Sequence, residues 1–503
     1  MLLCSGTRIG QVHIAHGQAP GCQPGGVSDG DASGPLRLHR WRDPAILVLA
    51  GFTFAAGFSQ FGVVAALGDV ARSFGEVRAG DTITDQAGLS GTAIGTGLAV
   101  IRLASLLALP VAALADRFGR RRTLRWCAAL GLGLTALASL SPTYAVFVAV
   151  FAFGRPFISA TDTVAGVAAA EQTATGDRAR ALAVVAAAYG VGAGLVAVLR
   201  GLLGAGLGFR AVLALALVPL AGLAVVGRFV TETDRYRVQA AATAAGEARP
   251  VPVLGAVAPR FRRRLVALVA IMAAISAVTG PANSFFFLYV ENVLGLSSVA
   301  TATMVVGAGV AGLGGLLLGR VGADRLGRRP TVALAVVLLP AAGILTYSGS
   351  VAAAVGGYLA AVLVGAAFLP AIGALQAELF PTSVRAAVAG WLLAASVLGA
   401  FVGLLAFGLV ADAGDRFGAA AVVVFAPVAL SALAVGLVPE TRDRELEDAP
   451  VGEHLPECEH LLEGPGALRL HRAVAEAACL VARVRERELH HAFEHTKEVY
   501  VVW

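Results

Sequence analysis

Twelve long apolar runs, separated by short breaks in which arginine collects, limit this chain more than any other feature. A helix needs about 20 apolar residues to cross a bilayer. The runs fall near 44–67, 88–114, 123–140, 144–168, 181–199, 210–228, 265–289, 297–319, 330–347, 351–377, 386–410 and 417–438. They are continuous rather than alternating, which excludes a membrane β-barrel. Only 14% of the 503 residues are charged against 57% hydrophobic, too few charges to cover a soluble protein of this size. The 61 glycines suit helices that approach closely in lipid. The fold class is therefore all-α, a polytopic membrane protein of 12 transmembrane helices.

Arginine gathers in the breaks after runs 2, 4, 6, 8 and 10 and is absent after runs 3, 7 and 9. Short arginine-rich loops stay on the cytoplasmic side, so both termini are expected in the cytoplasm of a multi-pass cell-membrane protein. The net charge of +6 belongs to these loops, and no nucleic-acid partner is expected. Cysteines at 4, 22, 127, 458 and 479 have neither metal-site nor disulfide spacing. Residues 1–43 read as a disordered cytoplasmic tail with no cleavable leader. Residues 231–264, carrying seven arginines, read as a cytoplasmic linker. Residues 439–503 read as a second cytoplasmic tail, with a weak helical pattern through Leu470, Val474, Ala477, Leu480 and Val481.

Three charged sites repeat at one offset. Leu114-Ala-Asp-Arg-Phe-Gly-Arg-Arg-Arg-Thr123 returns as Gly322-Ala-Asp-Arg-Leu-Gly-Arg-Arg-Pro-Thr331, with Asp116 and Asp324 208 residues apart. Glu171 and Arg178 return as Glu378 and Arg385, 207 residues on. Thr231-Glu232-Thr233 returns as Pro439-Glu440-Thr441, 208 residues on. The repeat predicts two six-helix bundles, 44–230 and 265–438, related about an axis along the membrane normal.

With those residues in place, the chain resembles the major facilitator superfamily over roughly 44–445. The family signature is a Gly-x-Leu-Ala-Asp-Arg-x-Gly-Arg-Arg loop between spans 2 and 3. Leu114, Ala115, Asp116, Arg117, Gly119, Arg120 and Arg121 match it, while Ala112 replaces the first glycine. The second copy matches at Asp324, Arg325, Gly327, Arg328 and Arg329, with Arg320 at the glycine position and Gly319 before it. The resemblance implies a latch at the cytoplasmic face, closed when the pore opens outward, with Glu171, Arg178, Glu378 and Arg385 as further members. Glu232-Thr233, Pro439-Glu440-Thr441-Arg442 and Glu378-Leu-Phe-Pro-Thr-x-x-Arg385 resemble marks of the sugar and metabolite branch. Span 5 carries Tyr189-Gly-Val-Gly-Ala-Gly194 without the proline that drug antiporters of the family tend to carry there.

Charges inside the spans that break the repeat are the candidates for chemistry. Arg155 and Asp162 in span 4 lie two helical turns apart on one face, and their shifted counterparts are Val362 and Leu369. Arg102 in span 2 has Val310 as its counterpart. Asp162 is the proton-coupling candidate, because a carboxylate in a cavity can cycle between charged and neutral forms. Arg155 and Arg102 are candidates for an anionic group of the substrate. Gln60, Tyr189, Asn283 and Phe287 are further cavity candidates, and Arg200 is expected to snorkel to the outer interface. Glycines at 91, 95 and 97, at 190, 192 and 194, and at 307, 309, 312, 314 and 315 are expected where the bundles slide on one another.

No nucleotide-binding loop, metal-spaced cluster or nucleophile elbow is present, so neither an enzyme nor a cofactor is expected. The expected function is secondary transport by alternating access. Proton-coupled uptake of a small polar or anionic metabolite, a sugar or an organic acid, comes first. Proton-driven multidrug efflux and a non-transporting membrane sensor are the alternatives. The expected partners are the lipid bilayer, a small-molecule substrate and protons, with the monomer as the working unit.

Overall fold

The computed structural model describes residues 39–442 apart from 77–87, 175–176, 204–207, 235, 238–256, 381 and 415. Most of both expected tails and of the linker lies outside the described residues. Among the described residues, eleven helices are long and apolar enough to cross a membrane. Span 3 is a further helix, Arg120–Ala138, whose first turns carry Arg120, Arg121, Arg122 and Arg125. The count of twelve therefore includes one span that is basic at one end. Large apolar side chains such as Leu107, Phe153, Leu202, Leu313 and Leu433 stay exposed around the helices. Water would not tolerate so extensive an apolar surface, and lipid covers it at no such cost.

The helices overrun the apolar runs. Span 2 extends over Gly91–Phe118, span 5 over Arg178–Leu203, span 8 over Ser298–Arg325 and span 11 over Thr382–Gly414. Span 7 begins at Pro259, inside the expected linker, because proline suits a first helical turn and the arginines that follow are good helix formers. The repeated basic stretch is helical on both sides rather than a loop. Span 2 ends at Phe118, span 3 starts at Arg120, and only Gly119 intervenes. Its φ of 91° is one that side-chain-bearing residues rarely adopt, and Gly327 repeats the turn at 111°.

Packing follows the sequence offset. Span 1 packs on span 5 as span 7 packs on span 11, and span 3 packs on span 4 as span 9 packs on span 10. The two halves meet where span 2 lies along span 11 and span 5 along span 8. The sliding role expected of the glycines holds for only part of the set. A Cβ on Gly95 would come within 2.6 Å of the Leu404 carbonyl in the other half, and Gly91 faces Asp412 and Gly408. Gly97, Gly192 and Gly315 instead meet Tyr144, Phe54 and Leu363 of their own half, and Gly190, Gly194, Gly309 and Gly314 face open space. Gly408 and Gly201, which carry no expectation from sequence, also meet the opposite half.

Candidate functional site

The charges singled out in the spans converge in the first half. Arg102 lies eleven residues into span 2 and Arg155 eleven residues into span 4, both counted from the face opposite the Asp116 turn. At 1.5 Å per residue that is about 17 Å deep for each. Asp162 sits seven residues further along span 4, ten before its other end at Gln172, and so also lies at mid-depth. Tyr189 comes from the middle of span 5 and donates its hydroxyl proton to Gln60 Oε1 of span 1 at 3.0 Å. Arg155, Asp162 and Arg102 all act electrostatically on the Tyr189 phenol.

The cluster is conspicuous for what is left unpaired. Arg155 Nε donates to Ser105 Oγ at 3.2 Å. The Arg102 Nε is buried without a partner among the described residues. No ion pair joins Asp162 to either arginine among the described residues. An arginine at mid-bilayer costs about 2.5–3.5 kcal/mol on lenient insertion scales, and this site holds two.

The second half contributes little polarity here. Asn283 is exposed and donates to the Thr279 carbonyl at 2.9 Å within its own helix. Phe287 is 1% exposed and packs edge-on against Phe61 of span 1, ring centroids 5.6 Å apart. Its ring is packed rather than free.

The far face, opposite the basic turns, is bridged between the halves. Arg200 is not at the interface with its charge in water, as the sequence suggests, but 6% exposed. Its Nε donates to Asp69 Oδ2 at 2.8 Å, and Nη1 and Nη2 donate to both carboxylate oxygens of Glu291 at 2.6 Å. Burial without a partner would be costly, and two acids on one fork remove that cost. Glu291 belongs to the second half and reaches Arg200 from a π-helical turn, Tyr289–Val293, at the end of span 7. A second bridge lies between spans 2 and 11. Asp412 accepts the Gly91 and Thr92 backbone N–H groups at 2.6 and 2.8 Å, placing a carboxylate on the positive end of span 2.

The basic turns hold a different arrangement. Arg120 grips Glu171 through Nε and Nη2 at 3.1 and 2.9 Å, and Asp116, largely exposed, meets Arg120 at 2.9 Å. Glu232 Oε1 accepts the Arg120 backbone N–H at 2.7 Å, capping span 3, while Thr233 donates to Glu171 at 2.7 Å. In the second half Arg328 meets Glu378 at 3.1 Å and Asp324 at 3.9 Å. Glu440 accepts from the Arg328 and Arg329 backbones at 3.0 Å, and Thr441 donates to Glu378. The bonds of Arg120, Glu171 and Glu232 stay in the first half, and those of Arg328, Glu378 and Glu440 in the second. Arg178 and Arg385 stand outside these clusters: the Arg178 Nε has no partner among the described residues, and Arg385 Nε donates to the Phe380 carbonyl at 3.0 Å. Arg117 lies over the Phe118 ring, Arg121 uses its backbone N–H on Glu232, and Arg325 accepts from Arg442 through its carbonyl.

Glu232 and Glu440 were legible only as a repeat, since nothing local announces that they cap a helix more than a hundred residues away. Burial pushes the Glu440 carboxyl up, and the backbone N–H groups of Arg442, Arg329, Thr441 and Arg328 outweigh this and hold it below the usual range.

The family model described as Major Facilitator Superfamily matches residues 47–366 and 310–487. Solved structures share the fold at low identity. The inward-open xylose transporter XylE from E. coli is 17% identical, with a TM-score of 0.61 over 80% of this chain and 98% of that one. A D-xylose-proton symporter is 19% identical, TM-score 0.59, over 79% and 98%. The human organic anion transporter MFSD10 is 17% identical, TM-score 0.55, over 79% and 99%. A search of curated proteins gave no match.

Proposed function

The chain belongs to the Major Facilitator Superfamily, and from that premise we propose that it couples proton influx to uptake of a small polar or anionic metabolite by alternating access. The observation that carries this reading is Asp162, a mid-depth carboxylate with no ion pair among the described residues, beside the Tyr189–Gln60 pair. A structural acid at that depth would be tied to a basic partner. An untied one is free to take up a proton at one face and give it up at the other. Relatives of the same fold that carry xylose with protons or organic anions support this class of solute.

The gating follows. With the basic turns placed in the cytoplasm, the Arg200–Glu291 and Asp412 bridges close the outer face, while the clusters around Asp116 and Asp324 each bond within their own half. This is an inward-facing state. The basic clusters then act as the inner gate in the opposite state, with Asp116 and Asp324, exposed here and paired with Arg120 and Arg328 of their own halves, exchanging those partners for ones across the halves.

The test uses purified protein in liposomes holding a pH-sensitive dye, with no imposed gradient. Adding sugars, mono- and dicarboxylates or aromatic acids in pools should acidify the interior with one pool, and Asp162→Asn should abolish that signal. Proton exit in exchange for a cationic drug would replace the proposal with efflux. Tracer flux of the active pool without any proton movement would show uncoupled transport and defeat it.

A further inference from the structure

The cluster in the first half is rich in donors and poor in acceptors. A guanidinium offers five N–H groups in a fixed fork and accepts nothing. Arg155 has one hydrogen bond among the described residues, to the Ser105 hydroxyl. Arg102 has none among the described residues, and its buried Nε is an orphan. The Arg102 charge acts on Arg155, and both arginines act on the Tyr189 phenol. Gln60 has its carbonyl oxygen taken by Tyr189, which leaves its amide NH2 as a further donor. Their counterparts in the second half, Val310 and Val362, are apolar, so the charge is no part of the repeated scaffold.

We propose that this cradle receives an oxyanion of the substrate, a carboxylate or a phosphate group, gripped between Arg102 and Arg155 with Gln60 as a third donor. The proposal rests on the reading of the chain as a solute transporter and narrows its substrate from polar to anionic. A neutral sugar would bring hydroxyls but leave two positive charges facing each other. An oxyanion supplies the missing acceptors and cancels the repulsion, and the planar fork of arginine fits carboxylate and phosphate oxygens in pairs. The site also explains the coupling. Ionised Asp162 acts on the same Tyr189 phenol as the two arginines, and its protonation removes a negative charge from that side of the cradle, so proton and anion each strengthen the binding of the other.

The test is thermal unfolding of the purified full-length protein with matched probes at constant ionic strength: succinate against succinamide, glucuronate and glucose 6-phosphate against glucose and xylose, and inorganic phosphate alone. Saturable stabilisation by at least one anion and none by its neutral twin is the expected result. The carboxylate and phosphate arms decide which oxyanion is used. Arg102→Gln and Arg155→Gln should each weaken the apparent affinity at least ten-fold, while Asp162→Asn keeps binding and loses proton movement. The wild-type comparison of anion with neutral twin requires no variant to fold. Equal stabilisation by neutral twins, unaltered affinity in the monodisperse arginine variants, or no saturable effect from any anion would each overturn the proposal. Anion binding without proton movement would defeat the coupling reading and leave the anion site standing. Proton movement driven by glucose or xylose would do the reverse.

Discussion

Arg200 ties three separate stretches of chain together, since its acids lie 131 and 91 residues away. Glu291→Gln leaves it paired with Asp69 while weakening the bond between the halves, so the fold should persist and the outer face should open more often. A shift on the order of ten-fold, equal to about 1.4 kcal/mol, is expected in the labelling of a cysteine placed at Phe61, beneath the bridge. Unchanged labelling would show that the bridge does not hold the outer face. Gly119→Ala is expected to lower thermal stability by about 1–2 kcal/mol, because its φ of 91° disfavours any Cβ, and Glu232 occupies the space besides. Arg102, Arg155 and Asp162 were legible because they break a repeat and because charge in a span is expensive. The Arg200 network was not. Asp69 sits in a polar stretch where an acid excites no notice, and the partner of a buried ion cannot be read from a chain whose contacts are long-range.

Individual elements carry the switching. Span 7 ends in a π-helical turn, a form that is rare and frequent at functional sites, and this turn presents Glu291 to the other half. Span 2 meets span 11 through Gly91 and Gly95, where a side chain would collide with backbone. Gly95→Leu should therefore hold the outer face apart. Overpacking of this kind costs about 1–3 kcal/mol, so cysteine labelling from outside should rise at least several-fold and uptake should fall; normal uptake would remove Gly95 from the moving contact. The cap on span 9 has a pH dependence of definite sign. Glu440 is held below its ordinary value of 4.5 in the folded protein. Its stabilisation is complete above that value and is lost as pH falls through the depressed one. Glu440→Gln should flatten the acid limb of a stability–pH profile; an unaltered limb would mean that the acid loss arises elsewhere. The apolar runs placed the spans within several residues but missed the short helix Leu67–Phe74, which lies in a polar stretch, and spans 2, 8 and 11 run on past their apolar runs because arginine and alanine continue a helix.

For the whole molecule, the offset of 207 to 208 residues in three charged sites is matched in packing where span 1 on span 5 and span 3 on span 4 return as span 7 on span 11 and span 9 on span 10. Which face is closed was not legible. That depends on pairs between the halves, Arg200 with Glu291 and Asp412 with the start of span 2, and neither pair has a counterpart at the offset. In the proposed mechanism this scaffold turns a proton gradient into solute accumulation through Asp162. The direct measurement follows a radiolabelled anion, the one that stabilises the protein best, in liposomes with an acidic exterior, alongside exchange at equal concentrations and no gradient. Wild-type protein should accumulate the anion uphill. Asp162→Asn, a fixed mimic of the protonated acid, should lose accumulation while retaining exchange, because exchange needs the site to reorient but not to release its proton. Uphill accumulation that survives in Asp162→Asn would contradict the claim.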